Sequence, residues 1–171
     1  MKAKKFNKTF DRWILPIFIF MVTLFSTASI YNLTLDLNDL IRVEGEVRNI
    51  RIEEDRDSRG RSNFNFYVYL TQGTRFKIMD DTLFEPYRNT IQQNIQPGDT
   101  VIIYKRTQIQ TNLGMGTSNL IYQLEHDGQI IMPLNVMHRN FKGLLIFELF
   151  VLAGLSTVQV IRMRKKATHN N

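Results

Sequence analysis

Two uninterrupted apolar stretches bracket this chain, and between them the hydrophobic positions fall mostly at every second residue. Trp13 to Leu35 carries no charge, and Gly143 to Ile161 carries one, Glu148. A helix rises ~1.5 Å per residue and the hydrocarbon layer is ~30 Å thick, so about twenty apolar residues span it. The pattern predicts transmembrane helices over 13–35 and 141–161, basic tails over 1–12 and 162–171, and a domain over 36–140 between the spans.

Period-two alternation dominates that domain. Val43, Gly45 and Val47 share one face of a strand over 40–53, after which the apolar positions switch parity to Ile50 and Ile52. A one-residue shift near Arg48 and Asn49 predicts a β-bulge, which bends a strand toward a barrel. Phe64, Phe66, Val68 and Leu70 alternate with Tyr67 and Tyr69, a second strand with both faces covered. The charged segment 54–62 reads as the intervening hairpin loop, and 74–79 as a third strand after a turn at Gln72 and Gly73. Tyr87, Ile91 and Ile95 then recur every fourth residue, predicting a short helix over about 86–95 that starts at Pro86. Pro97, Gly98 and Asp99 turn the chain into a strand over 100–108. A flexible stretch over 111–118 follows, then a closing hairpin over 119–124 and 129–132 and a link, 133–140, back to the membrane. Five or six short strands with one helix between the third and fourth predict a mainly-β, OB-like barrel or sandwich. The expected fold class is membrane α + β, with the two spans forming a helical hairpin.

The strings Gly45-Glu46-Val47, Phe66-Tyr67-Val68-Tyr69-Leu70 and Pro97-Gly98-Asp99-Thr100-Val101-Ile102-Ile103-Tyr104, flanked by two spans, carry a resemblance. The chain resembles bacterial two-helix membrane proteins of unassigned function that hold a small β domain between their helices. That resemblance implies the architecture and no activity.

Charge sets the expected orientation. The formal charge of +6 and the pI near 9.7 come from the tails, since 36–140 holds twelve Lys/Arg against fourteen Asp/Glu, a net of −2. The first twelve residues hold five Lys/Arg and the last ten hold four. Basic residues next to spans mark the cytoplasmic side, so both termini are expected in the cytoplasm and the domain outside, in an inner (plasma) membrane. The basic tails point to membrane lipid as partner and away from nucleic acid. Trp13 and Tyr31, ~27 Å apart along a helix, each fit one interfacial belt. Arg12, Arg162, Arg164, Lys165 and Lys166 complete the interface set. A cleaved signal peptide competes, because Ser26 and Ala28 form an A-x-A-like pair, but the apolar run continues through Tyr31 and favours retention. Without cysteine no disulfide is possible, and a domain of this size can bury an adequate core without one.

Catalytic and metal motifs are weak. Asp55-x-Asp57-x-x-Gly60 echoes a calcium loop, but Arg59 and Phe66 stand where its fifth and twelfth positions need oxygen ligands. Asp80 and Asp81 would point to opposite faces of a strand, which suits neither a metal nor an acid/base pair. His126, His138 and His169 lack metal-ligand spacing, and Gly114-x-Gly116 is a connection rather than a nucleotide loop. The chain is expected to be non-enzymatic and to need no cofactor.

One polar residue stands apart. Glu148 lies seven residues into the second span, ~10 Å below the outer surface, and an ionisable group at that depth commonly faces a partner or a cavity. Antiparallel packing places Ser26 and Thr27 at a similar depth, where their hydroxyls can serve it; the alternative is a helix of another subunit. Ala153, Gly154 and Thr157 form a small-residue patch for close helix contact. The expected function is a membrane-anchored interaction or assembly module, an accessory subunit joined to other membrane subunits or to copies of itself. The alternative is an extracytoplasmic sensor or small-ligand-binding domain.

Overall fold

The apolar stretches form the two long helices of the chain. The computed structural model describes residues 14–56, 62–79, 82–117 and 119–168, with the backbone alone at 55–56, 62–63 and 162–168. Its helices are α1 (Leu15–Thr34), α2 (Glu85–Asn94), α3 (Gln108–Leu113) and α4 (Leu134–Thr168). Its strands are β1 (Ile41–Arg56), β2 (Ser62–Leu70), β3 (Arg75–Ile78), β4 (Thr100–Lys105), β5 (Ile121–His126) and β6 (Gln129–Met132). The chain divides into a β unit, Thr34–Asn140, and a helical unit, Met1–Leu33 with Phe141–Asn171.

The six strands make one antiparallel sheet in the order β3-β2-β1-β4-β5-β6. β1 belongs to both halves. Its first part, Ile41 to Glu46, pairs with β4, and from Val47 onward it pairs with β2. The register shifts between Val47 and Asn49, leaving Arg48 as the extra residue, where the parity switch places the bulge. At this bend Val47 donates to the Asp99 carbonyl (2.8 Å) and accepts from the Gly98 amide (2.8 Å), so the strand keeps its bonds while it turns. Gly45 is required just before it. A Cβ there would lie 2.8 Å from Leu70 Cδ1, too close for a packed core.

The core of the β unit is aliphatic and aromatic. Val47, Val68, Leu70, Phe76, Ile78, Phe84, Ile91, Val101, Ile103 and Leu124 are fully buried. The barrel expected from sequence is not closed. Between β3 and the residues leading into β5 there is one parallel bridge, Lys77 to Leu120, with one bond from the Lys77 amide to the Asn119 carbonyl at 2.8 Å.

Three further expectations are corrected. Ile52 is exposed rather than in the core, as is Phe64: β4 pairs with β1 only as far as Glu46, which leaves Ile52 without a strand on that side, and β3 pairs with β2 no farther out than Phe66 and Ile78, which leaves Phe64 on a two-stranded ribbon. The strand expected to reach Gln108 ends at Lys105, and the segment read as flexible begins with α3. Thr107 Oγ1 accepts from the Gln110 amide (3.1 Å) while Gln110 Oε1 accepts from the Thr107 amide (2.8 Å), a reciprocal cap that starts the helix. The link over 133–140 is helical from Leu134. Val136 and Met137 are buried, the Leu134 amide donates to Gln123 Oε1 (3.2 Å), and His138 Nε2 lies 3.0 Å from the Leu35 carbonyl oxygen, so the first turns of α4 belong to the β unit's packing.

Other expectations hold in place. α2 starts with Pro86 in its first turn and buries Ile91. The β5–β6 hairpin turns through Asp127 (φ 51°) and Gly128 (φ 72°), the left-handed pair that a two-residue hairpin turn needs. Asp57, Arg59, Gly60, Asp80, Asp81 and His169 lie outside the described residues.

Candidate functional site

In the helical unit, α1 and the span Leu134–Ile161 are both long and apolar enough to cross a membrane. The polar side chains along them mostly serve their own helix. Thr23 donates to the Ile19 carbonyl (2.8 Å), Ser26 to that of Val22 (3.0 Å), Thr27 to that of Thr23 (2.9 Å) and Asn32 to that of Ala28 (2.8 Å). Back-bonding to the carbonyl one turn earlier lets a hydroxyl or amide sit in an apolar helix without an outside partner.

Glu148 is the exception. Its Oε1 accepts one hydrogen bond, from Ser29 Oγ at 3.3 Å, and its Oε2 is buried with no hydrogen-bond partner among the described residues. Ser29, one turn beyond Ser26 on the same face, is thus the hydroxyl that meets the carboxylate, and Thr27 lies exposed. Ser26, Ser29 and Asn32 are all buried, a stripe at spacing three that is legible as S-x-x-S-x-x-N in the sequence. Beside the carboxylate lies an apolar groove of about 390 Å³, lined by Phe18, Val22 and Phe25 of α1 and by Leu144, Phe147 and Val151 of α4. Phe18 and Phe147 remain 57% and 67% exposed, so the groove has no cover of its own.

The small-residue patch lies elsewhere. Ala153, Gly154 and Thr157 are exposed, Thr157 donates to the Ala153 carbonyl (2.8 Å), and a Cβ added at Gly154 would meet nothing within 4 Å. It takes no part in packing α1 against α4. Tyr31 is half-buried near the end of α1, and Arg162, Arg164, Lys165 and Lys166 continue the backbone of α4. Arg12 and Trp13 lie outside the described residues.

The β unit presents a second arrangement that the motif search passed over. On the face of β1–β2–β3 away from the core, the register aligns Asn49 with Tyr69 and Arg75, and Arg51 with Tyr67 and Lys77. Each tyrosine is flanked by a cation on β3. Arg75 lies 5.0 Å from the centre of the Tyr67 ring and 3.6 Å from Glu53, whose other oxygen accepts from the Tyr69 hydroxyl at 2.6 Å. The hydrogen bond with Tyr69, and then the proximity of the phenols and Glu53, raise the Arg75 pKa, so its charge is permanent. Two clefts open on this face, one of about 140 Å³ between Arg48, Arg51 and Tyr69, the other of about 190 Å³ between Tyr67, Lys77 and Asn119.

His126 sits at the end of β5. Its Nδ1 lies 3.1 Å from the Thr100 carbonyl oxygen, and its Nε2 lies 3.6 Å from Asp99 and 3.5 Å from Asp127. Among the described residues no three His, Asp or Glu side chains gather closely enough to hold a metal ion. No family model matches the chain, and neither a curated protein nor a solved structure matches it.

Proposed function

We propose that this protein is a non-enzymatic, membrane-anchored assembly module. Its two helices cross the plasma membrane with both termini in the cytoplasm, and its β unit, OB-like in plan, stands outside as part of a larger membrane complex. The excess of Lys and Arg in both tails supports the orientation. The OB-like reading is supported by a bent β1 shared between two half-sheets, a helix between β3 and β4, and the parallel meeting of β3 with the approach to β5.

The observation that carries the reading is the Glu148 carboxylate, half-satisfied beside an uncovered apolar groove. A polar group in hydrocarbon is costly until it is paired, and a partner helix seated in that groove pairs it. Purification in a mild detergent recovers a stoichiometric membrane partner, identified by mass spectrometry, and Glu148→Leu weakens the association. A lone monodisperse protein, indifferent to that substitution, overturns the reading. Protease added to intact spheroplasts digests the β unit and spares the tails.

A second reading, an extracytoplasmic ligand-binding domain, is favoured by the paired tyrosine and cation rows on β1–β3. The full chain in detergent is retained on phosphocellulose, and Arg51→Ala with Lys77→Ala lowers the salt needed to elute it. Unchanged elution removes this reading.

A further inference from the structure

We infer that the groove beside Glu148 receives a transmembrane helix of a different protein, and that this helix carries a lysine or arginine at the depth of the carboxylate. The inference rests on the assembly reading and specifies the partner's chemistry.

Two stripes define the seat. Phe18, Val22, Phe25 and Ser29 follow one another on α1 at intervals of four, three and four residues; Leu144, Glu148 and Val151 do the same on α4 at four and three. That spacing is the helix period, so each stripe runs along one face, and a third helix can lie against both. The apolar part of the seat asks only for apolar side chains. Glu148 asks for more. One long hydrogen bond from Ser29 leaves Oε2 with nothing, and a carboxylate in hydrocarbon is compensated best by an opposite charge that also donates hydrogen bonds.

Neither span supplies that charge. Leu15 to Thr34 contains no lysine, arginine or histidine, and neither does Gly143 to Ile161. A second copy of this protein would bring a second Glu148 to the contact. Two carboxylates can share such a site only if a proton joins them, which is a different chemistry with a different response to substitution. Charge complementarity therefore selects a foreign cationic helix over self-association.

The test uses the full chain, purified and reconstituted in phosphatidylcholine vesicles with synthetic leucine–alanine transmembrane peptides. The peptides carry lysine, glutamine or leucine at one position, seven residues from the outer end, and association is read by energy transfer. The lysine peptide is expected to associate at least about tenfold more tightly than the leucine peptide, the scale of one interhelical polar contact in a bilayer. Glu148→Gln, which keeps the shape and the hydrogen-bonding capacity but loses the charge, abolishes that preference. Circular dichroism of the β unit shows that the variant is folded. Equal binding of the lysine and leucine peptides overturns the cation, as does a preference that survives Glu148→Gln. Energy transfer between two labelled copies of this chain, insensitive to the peptides, overturns the foreign partner in favour of a homo-oligomer. In native membranes the two ideas separate. Recovery of a partner that Glu148→Gln does not release defeats the ion pair and leaves the assembly reading standing, whereas recovery of no partner defeats both. Glu148→Lys, combined with the reverse substitution in the recovered partner's span, restores co-purification if the pair is real.

Discussion

The β unit buries one charged side chain and the helical unit half-buries another, and their surroundings differ. Arg106 is 2% exposed, yet its guanidinium lies 5.3 Å from the centre of the Tyr122 ring and fills the space above Gly116, where a Cβ would collide with its Nη2. A stacked aromatic face offsets part of the cost of removing a guanidinium from water. Glu148 Oε1 receives one hydrogen bond at 3.3 Å, and its Oε2 receives none among the described residues. Arg106 Nε, like Glu148 Oε2, makes no hydrogen bond among the described residues, but the guanidinium as a whole is held by the Tyr122 ring and its other contacts. In the helical pair one carboxylate oxygen has no hydrogen bond among the described residues and no such ring contact is found for it there.

The largest test of this contrast is in the core. Phe76 is fully buried in β3, and Phe76→Ala is expected to cost the β unit about 3–5 kcal/mol by emptying its volume. Denaturant titration of the detergent-solubilised chain, followed by near-ultraviolet circular dichroism, reads the loss; Glu148→Leu in the same assay moves the transition little. Equal shifts from both would mean that the two units do not hold their stability separately. A smaller effect belongs to the cap of α3. Thr107→Ala removes the hydroxyl that accepts from the Gln110 amide and lowers stability by about 1 kcal/mol, while Thr107→Ser retains most of it. The smallest concerns the helical pair. Ser29→Ala removes the donor to Glu148 and weakens the pair by about 0.6 kcal/mol, the average for such bonds in a membrane bundle. Thr27→Ala, whose hydroxyl faces only its own helix, is silent in the same thermal melt, and a loss equal to that of Ser29→Ala would remove the distinction drawn between the two residues.

Much of this arrangement was legible in the residues. Apolar runs of helical length, one without charge and one with Glu148 alone, mark the two long helices, since a helix pairs its own backbone polar groups within the run. The parity switch after Val47 locates the bulge because a strand's faces alternate strictly, and Asp127-Gly128 marks the hairpin because only such residues take left-handed backbone cheaply. The misses have physical causes too. Ile52 and Phe64 carry the core pattern, but whether a third strand covers them depends on where β4 and β3 stop, which alternation in β1 and β2 does not encode. The apolar run of β4 masked the Thr107 and Gln110 cap. Counting depth from the ends of the spans found the correct face of α1 but placed Ser26, one turn away, where Ser29 meets the carboxylate.

The lone bridge from Lys77 to Leu120 gives the β unit a seam. Neighbouring strands of the sheet are joined by runs of paired residues, but at this edge a single amide-to-carbonyl bond must break before the strands part. Local opening is cheapest where the fewest bonds hold, so the Lys77 amide should exchange with deuterium sooner than that of Val68, enclosed between β1 and β3. Lys77 and Asn119, the two ends of that bond, also line the cleft beside Tyr67, so the weakest junction of the sheet and the wall of that cleft are the same pair of residues.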